Sequence, residues 1–146
     1  MSSFIDASHI MTTKSFLDAL RAADRTVARE RQQRLAAIDL TEAQAHILRV
    51  IADNAAINLN DLSEALTTDA PPSRVVSALV SRRLVSRRDK ADDRRHVELT
   101  LTKAGRKKAD AVRRVETSVA RWAQRRLKQA PLASAQKALT ALIHES

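Results

Sequence analysis

The sequence predicts a mostly α-helical protein with one small β-hairpin set among its helices. Three observations carry this reading. Apolar residues recur at three- and four-residue steps through most of the chain. Strict alternation is confined to His96–Leu101, and glycine occurs once, at Gly105, while aromatic residues make up 2% of the sequence. Sheet-rich folds draw on aromatic side chains for their faces and on glycine for their tight turns, so this composition favours helix. At 146 residues, 44% of them hydrophobic, residues 1–146 read as one domain around one core.

The elements follow in order. Residues 1–10 read as a loosely held arm. Phe16, Leu20, Ala23 and Val27 mark one face of a long first helix that starts near Thr13 and ends near Leu35 and Ile38. Thr41 and Gln44 form a T-x-x-Q capping box for a second helix, with Ile47, Leu48 and Ile51 on its apolar side and Asn54 at its end. Ile57-Asn58-Leu59 is a short extended piece. Asn58 and Asp61 stand as N-cap signals before Leu62, Ala65 and Leu66, which predicts a helix of two turns. Thr67-Thr68-Asp69 breaks the pattern.

A further helix is expected from Ala70 to Arg82, with Pro71 and Pro72 tolerated in its first turn. Val75, Val76, Leu79 and Val80 line one side of it, and Ser73, Arg74, Ser77 and Ser81 the other. Leu84–Arg88 and His96–Leu101 read as the strands of a hairpin whose tip, Asp89–Arg94, is charged. Thr102 opens a long basic helix on which Ala109, Val112, Val115, Val119, Trp122 and Leu127 recur. Pro131 ends it, and Ala133–Ile143 forms a last amphipathic helix.

Charge narrows the function. Lys plus Arg number 26 against 17 Asp plus Glu, a formal net charge of +9. Such an excess suits nucleic acid or an anionic surface. Between residues 74 and 106 stand ten basic side chains and four acidic ones. A short helix, a turn, a second helix and a charged hairpin make up a winged helix-turn-helix: the second helix fits the major groove, the first props it there, and the hairpin reaches the backbone or the adjacent minor groove. Geometry and charge thus coincide in one segment.

Other classes find no support. Cysteine is absent, which excludes disulfides, thiolate metal sites and thiol sensing. His9, His46, His96 and His144 lack metal-ligand spacing, so no metal and no cofactor are expected. There is no P-loop, H-E-x-x-H or nucleophile motif, which argues against an enzyme. No apolar run approaches the ~18 residues of a membrane span and no signal-peptide core opens the chain, so a cytoplasmic protein is expected.

At this point the chain resembles the multiple-antibiotic-resistance regulator (MarR) family. The resemblance is carried by Leu40-Thr41-Glu42-Ala43-Gln44, Asp61-Leu62-Ser63-Glu64-Ala65-Leu66, Leu84-Val85-Ser86-Arg87-Arg88, and Asp93-Arg94-Arg95 followed by Leu99-Thr100-Leu101-Thr102-Lys103-Ala104-Gly105. It implies a bacterial homodimer that binds palindromic double-stranded DNA, usually as a repressor, and often releases it on binding a small aromatic ligand. The DNA-binding lobe would span about 40–103, and the dimerisation helices about 11–39 and 103–146. Two departures stand out. Arg83 replaces the glycine usual before Leu-Val, where a left-handed cap costs a non-glycine residue roughly 1 kcal/mol, and Pro71-Pro72 stiffens the start of the recognition helix.

Site expectations follow. Ser73, Arg74, Ser77, Arg82, Arg83, Arg87, Arg88, Arg94 and Arg95 are the candidate DNA contacts. Of Arg94 and Arg95, one is expected to enter the minor groove while the other pairs with Asp92 or Asp93 to shape the wing, with the assignment open. Phe16, Leu20, Val115, Val119, Trp122, Leu139 and Leu142 are candidates for the dimer interface. The alternative for the stripe on the long basic helix is the chain's own core, but the helix's length favours a partner subunit. His46, Ile47 and Trp122 are candidates for a ligand pocket at the junction of lobe and dimerisation helices. The alternative function is a basic winged-helix module for non-specific nucleic-acid or protein contacts.

Overall fold

The computed structural model describes residues 7–66, 71–89 and 96–144. Along them run α1 (Ala7–Ala36), α2 (Glu42–Asn54), β1 (Ala56–Asn58), α3 (Leu59–Ala65), α4 (Pro72–Ser81), β2 (Val85–Asp89), β3 (Val97–Leu101), α5 (Lys103–Leu127) and α6 (Leu132–Ile143). The mostly helical reading holds, with a small antiparallel sheet in place of a bare hairpin.

The first helix starts at Ala7, earlier than the expected Thr13. Nothing in this stretch breaks a helix, and the hydroxyls of Thr12 and Thr13 donate to the carbonyls of Ser8 and His9 one turn back. Its apolar residues Ile10 and Met11 remain exposed. At the other end Leu40 N–H donates to Leu35 O at 3.0 Å while Asp39 takes a left-handed φ of 58°, so the chain turns sharply into α2. The predicted capping box is present: Gln44 N–H donates to Thr41 Oγ1, and Thr41 N–H to Gln44 Oε1.

The sheet order is β1-β3-β2. Ile57 lies opposite Leu99, and Val85 opposite Leu101. The short extended piece is therefore a third strand on the far edge of the hairpin. Its Asn58 then caps α3, accepting from Asp61 N–H at 2.7 Å.

Leu35, Ile47, Leu48, Ile51, Leu62, Val76, Leu79 and Leu99 are among the innermost side chains, each at most 2% exposed. Every such burial contributes about 1.5–3 kcal/mol, and together they lock α4 and the sheet onto α2. On α5, Ala109, Val112, Val115 and Val119 join the same core. By contrast α6 buries no residue within one chain.

Candidate nucleic-acid interface

The outer helix of the lobe is α4. Pro72 forces the residue before it out of the α region, so Pro71 is extended (φ −60°, ψ 115°) and the helix begins at Pro72 rather than at Ala70. Ala70 and the break Thr67–Asp69 lie outside the described residues. Val76 and Leu79 point into the core, and Val75 and Val80 are half-buried against it. That fixes the opposite face: Ser73, Arg74, Ser77 and Ser81 are all exposed. The Ser77 hydroxyl donates to Ser73 O at 2.9 Å, leaving its oxygen free to accept. Among the described residues nothing pairs with the Arg74 guanidinium.

A junction of hydrogen bonds holds the end of α4 to the wing. Arg83 N–H donates to Val80 O and Leu84 N–H to Leu79 O, a Schellman closure that puts Arg83 at φ 57°. The arginine that stands in place of the usual glycine thus keeps the left-handed cap. Thr102 completes the junction. Its N–H donates to Leu84 O at 3.1 Å, and its hydroxyl faces Arg83 O at 2.7 Å while accepting from Gly105 N–H at 2.9 Å. The run Leu101-Thr102-Lys103-Ala104-Gly105 therefore welds the end of α4, the start of β2 and the start of α5.

Beyond Val85, β2 is exposed on both faces. Side chains alternate along a strand, so Arg87 and Arg88 project from opposite sides of the wing stem. Arg87 lies across from Leu99 and bonds Asp89, Nε to Oδ1, at 3.5 Å, whereas Arg88 lies across from Glu98 on the outer face. Arg94, Arg95, Asp92 and Asp93 lie outside the described residues. Arg82 is turned inward along the surface: its Nη1 donates to Asp39 O at 2.7 Å, away from the row formed by Ser73, Arg74 and Ser77.

A cavity of about 710 Å³ opens between α1, α2 and α5. Leu35, Ala45, Val112 and Val115 give it an apolar wall; His46, Arg31, Glu42, Arg49, Asp53 and Glu116 give it a polar rim. Arg49 is ion-paired with Glu116 across the opening, and Arg31 meets Glu42 at 3.5 Å. The Arg49 Nε is buried without a partner among the described residues. Of the three residues expected here, His46 lines the cavity. Ile47 does not: at 1% exposure it faces the core. Trp122 stands two turns further along α5, half-buried beneath Arg126 at 5.2 Å from its ring centroid. Arg49 and Glu116 were missed because 67 residues separate them, and neither has a local signal for its partner.

The candidate dimer residues divide into two sets. Val115 and Val119 are buried within the single chain, 8% and 7% exposed, because α1 and α2 cover that stripe. Phe16, Leu139 and Leu142 remain exposed, with Ile10, Met11, Leu132 and Ile143, while Leu20 is half-buried.

Residues 40–97 match the model of the MarR family. No curated protein matches the chain in sequence. Among solved structures, a mutant E. coli MarR complexed with operator DNA superposes with a TM-score of 0.75 at 22% identity, covering 95% of this chain and 99% of that one. A putative MarR-like transcription regulator from Bacillus cereus reaches 0.79 at 13% identity, covering 90% and 96%. Bordetella bronchiseptica BpsR, whose DNA binding is regulated by 6-hydroxynicotinic acid, reaches 0.75 at 25% identity, covering 89% and 99%. The motif-bearing lobe is thus matched by the MarR family model, and the chain as a whole shares the winged helix-turn-helix fold of these solved structures.

Proposed function

We propose that the protein is a sequence-specific DNA-binding transcriptional regulator, acting as a homodimer on a palindromic operator and serving as a repressor in the cytoplasm. The observation that carries this is the face of α4. Ser73, Arg74 and Ser77 stand exposed on a helix whose other side is anchored by Val76 and Leu79. Hydrogen-bonding side chains on a helix held outward by its core are what major-groove reading requires. The basic stem of β2 lies beside it, and no described helix is long and apolar enough to cross a membrane.

The exposed apolar side chains of the α1 start and of α6 support a second copy as their cover. The cavity between α1, α2 and α5 supports a small aromatic effector. Its wall is apolar, and the planar fork of Arg49, paired with Glu116 across the opening, is of a kind that a ligand carboxylate would engage in exchange for that partner. An effector would release DNA to the extent that it binds the non-DNA conformation more tightly.

Selection of duplexes from a random library by the purified protein, followed by gel-shift competition, tests the central reading. The expected result is one palindrome preferred over bulk duplex by ~10³-fold or more. Equal binding of all duplexes would instead establish a non-specific basic module, and no binding would exclude a DNA role.

A further inference from the structure

Ile38 and Asp39 lie in the turn just past the C-terminal end of α1, where backbone carbonyls lack helical partners and the helix dipole is negative. Two cations from distant parts of the chain converge there. Lys108 of α5 bonds Ile38 O. Arg82, the residue that caps the C-terminus of α4, donates from Nη1 to Asp39 O at 2.7 Å and lies 3.4 Å from Gln44 Oε1. That same Gln44 oxygen closes the α2 capping box on Thr41 N–H. One guanidinium therefore bridges the end of α4, the end of α1 and the start of α2.

We propose that Arg82 is a positioning residue: it clamps the C-terminal end of α4 to the α1–α2 turn and so sets the angle at which α4 is presented to DNA. This rests on the DNA-binding reading above, but departs from the expectation that Arg82 itself contacts DNA. A charge-assisted bond to a carbonyl is directional and strong for its size. Arg83, the next residue, already closes α4 through its backbone, so the helix end has little freedom left once Arg82 is seated. Aligning α4 matters for reading base edges and little for holding a phosphate backbone.

The test compares Arg82→Ala and Arg82→Lys with Arg88→Ala, using the palindrome selected by the wild-type protein and a scrambled duplex. Both Arg82 variants should lose roughly tenfold on the palindrome while binding the scrambled duplex as wild type does, with the dependence on salt unchanged. In the DNA-free protein, hydrogen exchange at Leu40, Arg83 and Leu84 should quicken in both. If instead Arg82→Ala weakens both duplexes equally and lowers the salt slope by about 0.9, or Arg82→Lys behaves as wild type, Arg82 is a phosphate contact. The exchange arm involves no DNA. Unchanged exchange overturns the clamp even if the DNA reading stands, and quickened exchange upholds the clamp even if no duplex is selected.

Discussion

The carbonyl oxygen of Leu84 stands 1.9 Å from where a β-carbon on Gly105 would lie. The glycine is thus required by close approach, since its φ is not positive. That approach lets Thr102 N–H reach Leu84 O and so fastens α5 to the wing. Gly105→Ala must drive the α5 backbone from the hairpin. Overpacking usually costs 1–3 kcal/mol, and contact with backbone rather than a flexible side chain places this case near 3 kcal/mol. Urea denaturation should show a correspondingly lower midpoint, and an unchanged midpoint would mean that α5 can slide away freely.

Arg83→Gly should act in the opposite direction on stability. The left-handed conformation at φ 57° costs a non-glycine side chain roughly 1 kcal/mol, which glycine relieves. If the Arg83 side chain also grips phosphate, the same variant will bind every duplex more weakly and with a shallower salt dependence. A more stable protein with weaker, still sequence-selective binding is the expected pair of results from chemical denaturation and gel shift. No gain in stability would contradict the strain argument.

Much of this was legible from local pattern. The two faces of α4 could be assigned from Val76 and Leu79 against Ser73, Arg74 and Ser77, because one helix carries both halves of the signal. The Thr41–Gln44 box was legible for the same reason. The third strand was harder to see: Ala56–Asn58 is short, and its partner β3 lies some forty residues away. The stripe Val115–Val119 announced an apolar face without saying what covers it, and the cover turned out to lie within the chain. The partner of Arg82 was illegible for a related reason. It stands among the candidate DNA contacts, and the backbone carbonyl that its guanidinium meets lies 43 residues away.

The arginines of the lobe should separate by role. Arg74→Ala is expected to cost ~1–3 kcal/mol on the selected palindrome and to blur the preference at one base pair. Arg88→Ala, on the outer face of the stem, should weaken all duplexes and reduce the salt slope by about 0.9. Arg87→Ala should change the slope less, because Asp89 already lies beside that guanidinium at 3.5 Å. Equal slope losses for Arg87 and Arg88 would place both on the phosphate backbone, against the alternation of β2.

The cavity makes its own prediction. Hydroxylated aromatic acids such as salicylate should bind at millimolar concentrations or below, read by calorimetry, and Arg49→Met should weaken that binding at least tenfold. Trp122 fluorescence is a poor reporter because its ring lies outside the cavity. Binding that survives Arg49→Met undiminished would remove the carboxylate from the argument.

Assembly is best tested where the apolar surface is uncovered. Val119 is 7% exposed within one chain, so a charge there attacks the fold itself and says little about a partner. Leu142 and Ile143 are 58% and 75% exposed on α6, and a charge there costs the single chain almost nothing. Leu142→Asp should therefore leave the circular dichroism spectrum and the core unchanged while converting dimer to monomer at micromolar concentration in analytical ultracentrifugation. Operator binding should fall with it, because two recognition helices roughly 34 Å apart must engage both half-sites together. A wild-type protein that sediments as a monomer would refute the dimer. A Leu142→Asp dimer as tight as wild type would move the interface off α6 and onto the exposed start of α1, where Ile10, Met11 and Phe16 offer the remaining apolar surface.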